Sequence, residues 1–468
     1  MEKNKIYQNS WFLLVIAIIV FLVNQLPFIT DVRPVMYDEA WYGNTAYNCA
    51  QGLGFLNTAV GSRGNSNFLL PLMTAGFMHL FGYNLLSIRL TAVLCGVITL
   101  LFLGLAMRQM KAGHVAQICV YAFFVSIALY DTIFRFGRPE CAGAMCVTGG
   151  LWMYFRYREN PSWMNMLGMS VFVYLAAIGH PFTLLLFAIM GCYMLVKIIR
   201  DKQWYGMLHL AVLLIAAICA IISISWASAT YNIPGENYIQ TRFSIRGIAT
   251  SIPVYMKYAF YSKHSFYFIP LLCMSVWLAI RGTEYRDIAI ISLAYFIVFP
   301  VLFSTDLSMV GLGLDYFVCA TTILLVPFIE KVRSRKWVVP AFLIYCGLNL
   351  CLSYYYNYIV KYEKANTVLT KELPAIIPNG SKVFGALRQW PFLMETDYQS
   401  DHTCFLVQPQ EEYDYIVLNS QDMGRSATAN ILPIDSDKMD LIYVRTTKQY
   451  GNVMVYKRKE NYAPKIIE

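Results

Sequence analysis

Apolar runs near or above the length needed to cross a bilayer recur along most of this sequence, and they constrain its fold more than any other feature. The runs are Trp11–Phe28, Leu85–Ala106, Val115–Tyr130, Cys141–Phe155, Met164–Gly179, Phe182–Val196, Met207–Trp226, Phe266–Ile280, Ile288–Phe303, Leu314–Phe328 and Trp337–Tyr354. A spanning helix needs about 20 mainly apolar residues, with about 17 as the short limit. The sequence therefore predicts an α-helical polytopic membrane protein with about eleven transmembrane helices.

The composition of the chain and the residues within its apolar runs agree with a membrane protein. Only 14% of the residues are charged, against about 25% in soluble globular chains. The first run lacks a small-x-small cleavage site, which favours an anchoring helix over a signal peptide. A shorter run, Phe68–Phe81, contains Pro71 and predicts a helix at the membrane interface. The twelve cysteines show no CxxC or Cys/His spacing, so neither a metal site nor a disulfide framework is predicted.

The basic residues give the expected orientation. With the N-terminus in the cytoplasm, the inside loops hold 15 of the 37 Lys and Arg residues. Positive charge concentrates in cytoplasmic loops of membrane proteins, so the net charge of +9 is a topology signal. Nucleic acid is not an expected partner. The predicted location is the inner or plasma membrane, with the C-terminus outside the cytoplasm.

The composition changes abruptly near Lys361, where mixed polar and apolar residues replace the long apolar runs. Short β-like runs follow, separated by turn residues such as Pro378-Asn379-Gly380: Lys382–Ala386, Cys404–Val407, Tyr415–Leu418, Leu441–Arg445 and Val453–Lys457. Such punctuation is typical of short strands. We expect a transmembrane domain over residues 1–360 and a small extracytoplasmic α/β domain over residues 361–468.

Two adjacent acids, Asp38 and Glu39, stand among aromatic residues in the first outside loop. The stretch Ala40–Gln51 has helical character and ends at Gly52-Leu53-Gly54, so the acids lie near a helix N-terminus. That position stabilises negative charge, and an ionised Asp at the membrane surface can act as a general base toward a hydroxyl. The same pattern is also typical of an ordinary N-cap followed by a first-turn acid.

The order of features resembles the GT-C membrane glycosyltransferases. An inside N-terminus and one span precede the Asp38-Glu39 loop, then a helix ending at Leu80-Phe81-Gly82, then a span entered through Ser87-Ile88-Arg89-Leu90. The nearest likeness is to protein O-mannosyltransferases, bacterial aminoarabinose transferases and related lipopolysaccharide-sugar transferases. The resemblance implies a polyprenyl-phosphate sugar donor, Asp38 as the catalytic base or the carboxylate that orients the acceptor, and Glu39 as its supporting partner in the substrate site.

The resemblance also implies partners for Asp38. Arg138-Pro139-Glu140 looks like the Arg-Pro-acid turn of this family: Arg138 suits a lipid-linked phosphate because a guanidinium fits its oxygens, and Glu140 would face the donor or acceptor. Arg135 and Arg138 could instead merely pair with Asp131 and Glu140. His180, in Gly179-His180-Pro181, would donate to a phosphate oxygen or ligate a metal ion, or serve a purely structural helix break.

Two stretches depart from the family pattern. Asn65-Ser66-Asn67-Phe68 stands where relatives have Lys-Pro-Pro, which leaves Arg63 as the nearest phosphate-binding base. Leu314-Asp315-Tyr316 stands where relatives have Arg-Tyr, so an acid replaces a base. The aromatic and basic loop from Ala227 to Ser265 fits either a lid over the donor or an ordinary interfacial belt.

Together these features predict an inverting glycosyltransferase acting on the extracytoplasmic face. Its expected partners are a polyprenyl-phosphate-linked sugar, membrane lipids and an acceptor glycolipid, glycan or protein. No cofactor is required, although a divalent ion near the phosphate is compatible with the chemistry. The rival interpretations are a flippase for lipid-linked glycans, which would place charges in mid-span, and a non-catalytic scaffold, in which Asp38 would be dispensable.

Overall fold

The computed structural model describes residues 2–61, 63–64, 67–127, 133–230, 245–261, 265–281, 284–302, 310–360, 362–400, 412–421 and 434–460. Most of the chain before residue 360 is helical. The helices are α1 (Glu2–Gln25), α2 (Tyr37–Ala50), α3 (Leu69–Phe81), α4 (Leu85–Gln109), α5 (His114–Ser126), α6 (Pro139–Glu159), α7 (Trp163–Gly179), α8 (Thr183–Arg200), α9 (Tyr205–Thr230), α10 (Ile245–Tyr261), α11 (Ser265–Arg281), α12 (Arg286–Leu302), α13 (Val310–Thr322), α14 (Leu325–Val332) and α15 (Val338–Tyr355). A short hairpin, β1 (Leu56–Asn57) with β2 (Arg63–Gly64), joins α2 to α3.

Several helices have the length and composition of membrane spans. Within the described residues, four qualify by themselves: Leu85–Gln109, Thr183–Arg200, Tyr205–Ala227 and Val338–Ile376. A fifth is the pair Ile252–Tyr261 and Phe266–Arg281 if it counts as one span bent by 105°. These helices and the comparisons below establish a multi-pass membrane protein, whereas the number of eleven spans and their orientation stay predictions.

Helix α6 lies at the centre of the helical part because its residues are small. Every residue from Pro139 to Leu151 is buried. A Cβ atom added at Gly149 or Gly150 would stand 2.4 Å from the Phe172 ring or 2.7 Å from the Phe187 ring. Small residues let membrane helices approach closely. This packing fixes the N-terminus of α6, where Arg138 and Glu140 lie.

The C-terminal part folds as the predicted small α/β unit. Helix α16 (Ala365–Ile376) precedes β3 (Lys382–Gly385), β4 (Asp397–Gln399), β5 (Tyr415–Asn419), β6 (Met439–Thr447) and β7 (Gly451–Arg458). The sheet order is β4-β3-β5-β7-β6, parallel around β3 and antiparallel around β7. Four of the five predicted strands are confirmed, and the fifth, Cys404–Val407, lies outside the described residues. Strand β4 was not predicted because three residues carry too little alternation.

One hydrophobic core joins this unit to the first loop. Val35 and Ala40 pack in the same cluster as Leu369 and Trp390 of the C-terminal part. Gly43 of α2 makes room for this contact, since an added Cβ would stand 3.2 Å from the Trp390 ring. The division at residue 360 therefore separates two stretches of sequence that share a core.

Candidate active site

The acidic pair occupies the first turn of α2, as the sequence predicts. Met36 is extended (φ −83°, ψ 156°) and precedes the helix. Its backbone N–H donates to Oε2 of Glu39 at 3.2 Å, which satisfies one of the N–H groups that a helix start leaves open. Consecutive helical residues point about 100° apart. Asp38 and Glu39 consequently face different surroundings.

Glu39 faces inward and binds Arg89 of α4. The guanidinium contacts both carboxylate oxygens, Nε to Oε1 at 2.7 Å and Nη2 to Oε2 at 2.9 Å. Neither side chain has any exposed surface. Arg89 also donates to the carbonyls of Ile29 and Thr30, at 2.7 and 3.0 Å. The pair fastens the first loop to α4, and the predicted contact of Glu39 with substrate stays a prediction.

Asp38 faces the other way, toward Arg138. Its Oδ2 lies 3.0 Å from Nη2 of Arg138, and the same nitrogen lies 2.8 Å from Oε1 of Glu140. The Asp38 side chain is 50% exposed and that of Glu140 only 4%. Three of the predicted site residues therefore form one cluster, with a cation between two carboxylates and the open carboxylate at the surface.

The buried edge of this cluster has polar atoms without a hydrogen-bond partner. Among the described residues none pairs with Oε2 of Glu140 or with Nε of Arg138, and both atoms are buried. Buried polar atoms in folded proteins nearly always have a partner. An acceptor and a donor left open side by side are suited to a ligand that carries hydroxyl groups.

Tyr42 lies on the Asp38 side of α2, one turn further along. Its hydroxyl accepts a hydrogen bond from Nδ2 of Asn67 at 2.8 Å. Burial, helped by the charges of Asp38 and Glu140, raises the pKa of Tyr42 well above its ordinary value. The phenol is therefore neutral at physiological pH, so Tyr42 can donate a hydrogen bond beside Asp38 but cannot act as the base.

The charge of Arg138 is secure. Burial lowers the pKa of this guanidinium, but Glu140 and Asp38 raise it further, and the net shift is upward. Asp315 of α13 also lies within electrostatic range of Arg138 and Glu140. The cluster carries more negative than positive formal charge, which matters for any phosphate that approaches it.

His180 packs among aromatic side chains. Its ring is buried and stands 4.8 Å from the Phe182 ring and 5.6 Å from the Tyr316 ring, centroid to centroid. Tyr316 is within electrostatic range of Glu140. The predicted phosphate contact of His180 stays a prediction, since what the structure shows is its aromatic packing.

The other predicted residues are placed differently. Arg135 is buried, and its Nε donates to Oε1 of Gln25 at 3.1 Å, so it braces α1. Arg63 has its backbone in β2, while its side chain lies outside the described part of the chain, as does Asp131. Of the loop predicted from Ala227 to Ser265, residues 231–244 are likewise outside, and the remainder includes helix α10.

Arg89 was not predicted as a site residue, although a signal for it exists. A lone arginine near the start of an apolar span needs an acid within reach, and Glu39 is the acid that the fold supplies. Metal ligation has no comparable cluster: within the described ranges no group of three or more His, Cys, Asp or Glu side chains could hold an ion.

The resemblance to the GT-C membrane glycosyltransferases predicted from the sequence is confirmed by a family profile and by solved structures. The profile of the dolichyl-phosphate-mannose-protein mannosyltransferase family matches residues 66–226. No curated protein matches the sequence significantly.

Solved structures extend the likeness over the whole chain. ArnT from Cupriavidus metallidurans, bound to undecaprenyl phosphate, superposes with a TM-score of 0.63 at 14% identity, covering 97% of this chain and 98% of that one. Its apo structure gives 0.62 at 14% identity, with 96% and 98% covered. The mycobacterial arabinofuranosyltransferase AftD gives 0.51 at 12% identity, covering 96% of this chain and 40% of its own. At these identities the likeness establishes the fold.

Proposed function

We propose that this protein is an inverting glycosyltransferase that moves a sugar from a polyprenyl-phosphate carrier to an acceptor on the extracytoplasmic face of the membrane. The observation that carries the proposal is the cluster of Asp38, Arg138 and Glu140. It joins a half-exposed carboxylate to a buried donor and acceptor that lack partners. The family profile and the ArnT fold support the choice of a lipid-linked donor.

In the proposed reaction, Asp38 takes the proton of the acceptor hydroxyl or amine, or orients that group, as it attacks the anomeric carbon. The bond from that carbon to the phosphate oxygen breaks on the opposite face of the sugar, and the polyprenyl phosphate departs with the electron pair. Arg138 holds Asp38 in place through the 3.0 Å ion pair and faces the charge that develops. Fixed charges of this kind usually contribute most to catalysis.

The phosphate needs more positive charge than the described cluster offers. Arg138 is already shared by the carboxylates of Asp38 and Glu140. Arg63 is the predicted second cation, and a divalent ion would serve the same purpose. Glu140 and Tyr42 are then better placed to bind sugar or acceptor hydroxyls than the phosphate.

The central test compares Asp38→Asn with wild type in membranes. Radiolabelled undecaprenyl-phosphate mannose and polyprenyl-phosphate arabinofuranose serve as donor probes, and transfer to endogenous acceptors is followed by chromatography and mass spectrometry. We expect Asp38→Asn to lose at least about 100-fold in transfer rate, the usual scale for a general base. Asp437→Asn, an exposed acid in the C-terminal part, is the matched control.

Wild-type transfer by a folded Asp38→Asn variant would contradict the proposal and favour the scaffold interpretation. Loss of lipid-linked sugar translocation together with intact transfer would favour the flippase. Mass spectrometry of surface glycolipids and glycoproteins from a deletion strain then identifies the sugar and its acceptor.

A further inference from the structure

A second polar site lies at the other end of α6 from the candidate active site. A cavity of about 580 Å³ opens between the last turns of α4 and α6 and the beginning of α7. Arg156, which lines it, follows Glu140 by 16 residues in the same helix, which corresponds to about 24 Å along the axis. The cavity therefore belongs to the opposite membrane surface and takes no part in the cluster around Asp38.

Positive charge dominates the lining of this cavity. Three basic side chains face one acid, Glu159, whose carboxylate accepts a hydrogen bond from the Gln109 amide. The basic residues are Arg108, Lys111 and Arg156. Among the described residues no carboxylate pairs with Lys111 or Arg156. The cavity is consequently suited to an anion.

Arg158, two residues further along α6, differs from Arg156 because it has an acidic partner. Its Nη1 lies 3.4 Å from Oδ1 of Asp287, and its guanidinium stands over the Tyr285 ring. Arg156 is instead held over the ring of Trp152 at 5.6 Å, a contact that orients a cation without neutralising it. The charge of Arg158 is thus neutralised by Asp287, whereas Arg156 lines the cavity.

The cavity also has the features of a membrane interface. Leu105 and Trp152 form its apolar wall, and Arg108 stands over the Trp11 ring at 4.6 Å. Tryptophan is enriched at the depth of lipid headgroups. The polar floor is fixed, because Nδ2 of Asn165 donates to the Asn160 carbonyl at 2.9 Å where α6 ends. A basic rim over an apolar wall fits a ligand with both a phosphate and acyl chains.

We propose that this cavity binds the headgroup phosphate of an anionic phospholipid. Basic pockets between membrane helices bind such headgroups elsewhere, and here the apolar wall offers acyl chains a surface that inorganic phosphate cannot use. The proposal does not depend on the transfer reaction, since the two sites lie at opposite ends of α6. An annular lipid at this position would tie the ends of α4, α6 and α7 together.

The test uses the full-length protein in detergent, examined by native mass spectrometry with added phosphatidylglycerol or phosphatidylcholine. We expect wild type to retain phosphatidylglycerol preferentially, and Lys111→Gln/Arg156→Gln to lose about 5- to 30-fold of that preference, the scale set by two interfacial charges. Arg200→Gln removes a basic residue that pairs with Asp201 and should behave as wild type. Lys111→Arg/Arg156→Lys keeps the charges and should retain the lipid.

Each outcome separates the alternatives. Unchanged lipid preference in a folded double glutamine variant would overturn the proposal. Displacement of phosphatidylglycerol by millimolar inorganic phosphate would also overturn it and assign the cavity to a soluble anion. Equal retention of the two lipids by wild type would also overturn the proposal, and the basic residues would then serve only to orient the protein in the membrane.

Discussion

The backbone N–H of Val35 donates a 2.7 Å hydrogen bond to the hydroxyl of Tyr450. The carbonyl of the same residue accepts a 2.6 Å bond from Nε of Arg388. Tyr450 in turn donates to Oδ1 of Asn366 at 2.6 Å. The C-terminal part thus binds both the backbone N–H and the carbonyl of Val35, which precedes Asp38 by three residues. We infer that this part positions Asp38, the proposed base.

Removal of the Tyr450 hydroxyl should therefore impair catalysis from a distance. Tyr450→Phe leaves the buried N–H of Val35 without a partner, which costs about 1–3 kcal/mol of folding stability. We expect kcat to fall with little change in KM, since Asp38 moves while the donor contacts remain. Rates from reconstituted protein and thermal unfolding check both effects.

The matched control is Tyr456→Phe in β7, the strand that follows Tyr450. Among the described residues its hydroxyl donates only to the Met454 sulfur, at 3.6 Å, so little should change. A Tyr450→Phe variant with wild-type kcat would show that the C-terminal part does not position Asp38.

Loss of the Glu39–Arg89 ion pair should lower the folding stability of the protein. Glu39→Gln leaves a buried guanidinium without its counter-ion, and such changes cost about 3–5 kcal/mol. Reduced yield of folded protein and a lower unfolding temperature are the expected results. The double variant Glu39→Gln/Arg89→Gln should recover part of the loss, as a double-mutant cycle would measure. If Glu39→Gln is as stable as wild type yet inactive, Glu39 contacts substrate after all.

Arg138 should be replaceable in part by lysine. Arg138→Gln removes the cation between Asp38 and Glu140, and we expect a loss on the order of 100- to 1,000-fold in kcat, as for other preorganised charges. Arg138→Lys keeps the positive charge but loses the planar guanidinium group. Its rate should therefore lie between the rates of wild type and Arg138→Gln. Equal rates for the two variants would mean that charge at this position is not what the reaction uses.

Gly143 gives a steric test of the region around Tyr316. A Cβ added there would stand 2.6 Å from the Tyr316 hydroxyl, and overpacking of this kind costs about 1–3 kcal/mol. Gly143→Ala should therefore lower both the unfolding temperature and the transfer rate. Gly76→Ala in α3 meets nothing within 4 Å and should be neutral in both assays. A harmless Gly143→Ala would show that Tyr316 is free to shift without consequence.

Local pattern predicted the parts of this site that depend on one segment. Helix α2, with Asp38 in its first turn, follows from the acids and the glycines that flank the segment. The placement of Arg138 on the same surface followed from the topology and the family resemblance, and the ion pair to Asp38 agrees with it. In each case the evidence lay within a short stretch or in the order of spans.

Long-range pairing could not be predicted in the same way. Adjacent acids look equivalent in a sequence, and only the packing of α4 shows that Glu39 binds Arg89. The Val35–Tyr450 bond joins residues separated by 415 positions, and no periodicity records such a contact. The eleven spans remain predicted because short apolar helices such as His114–Ser126 do not reach spanning length by themselves.

That separation has a consequence for biosynthesis. The ribosome makes Val35 415 residues before Tyr450, the residue whose hydroxyl holds it. Membrane insertion of the helices can thus be complete while the peptide before Asp38 still lacks its partner. The protein should become competent only after the stretch that carries Tyr450 has been made and has folded, so chains stalled or truncated before Tyr450 should be inactive in the transfer assay.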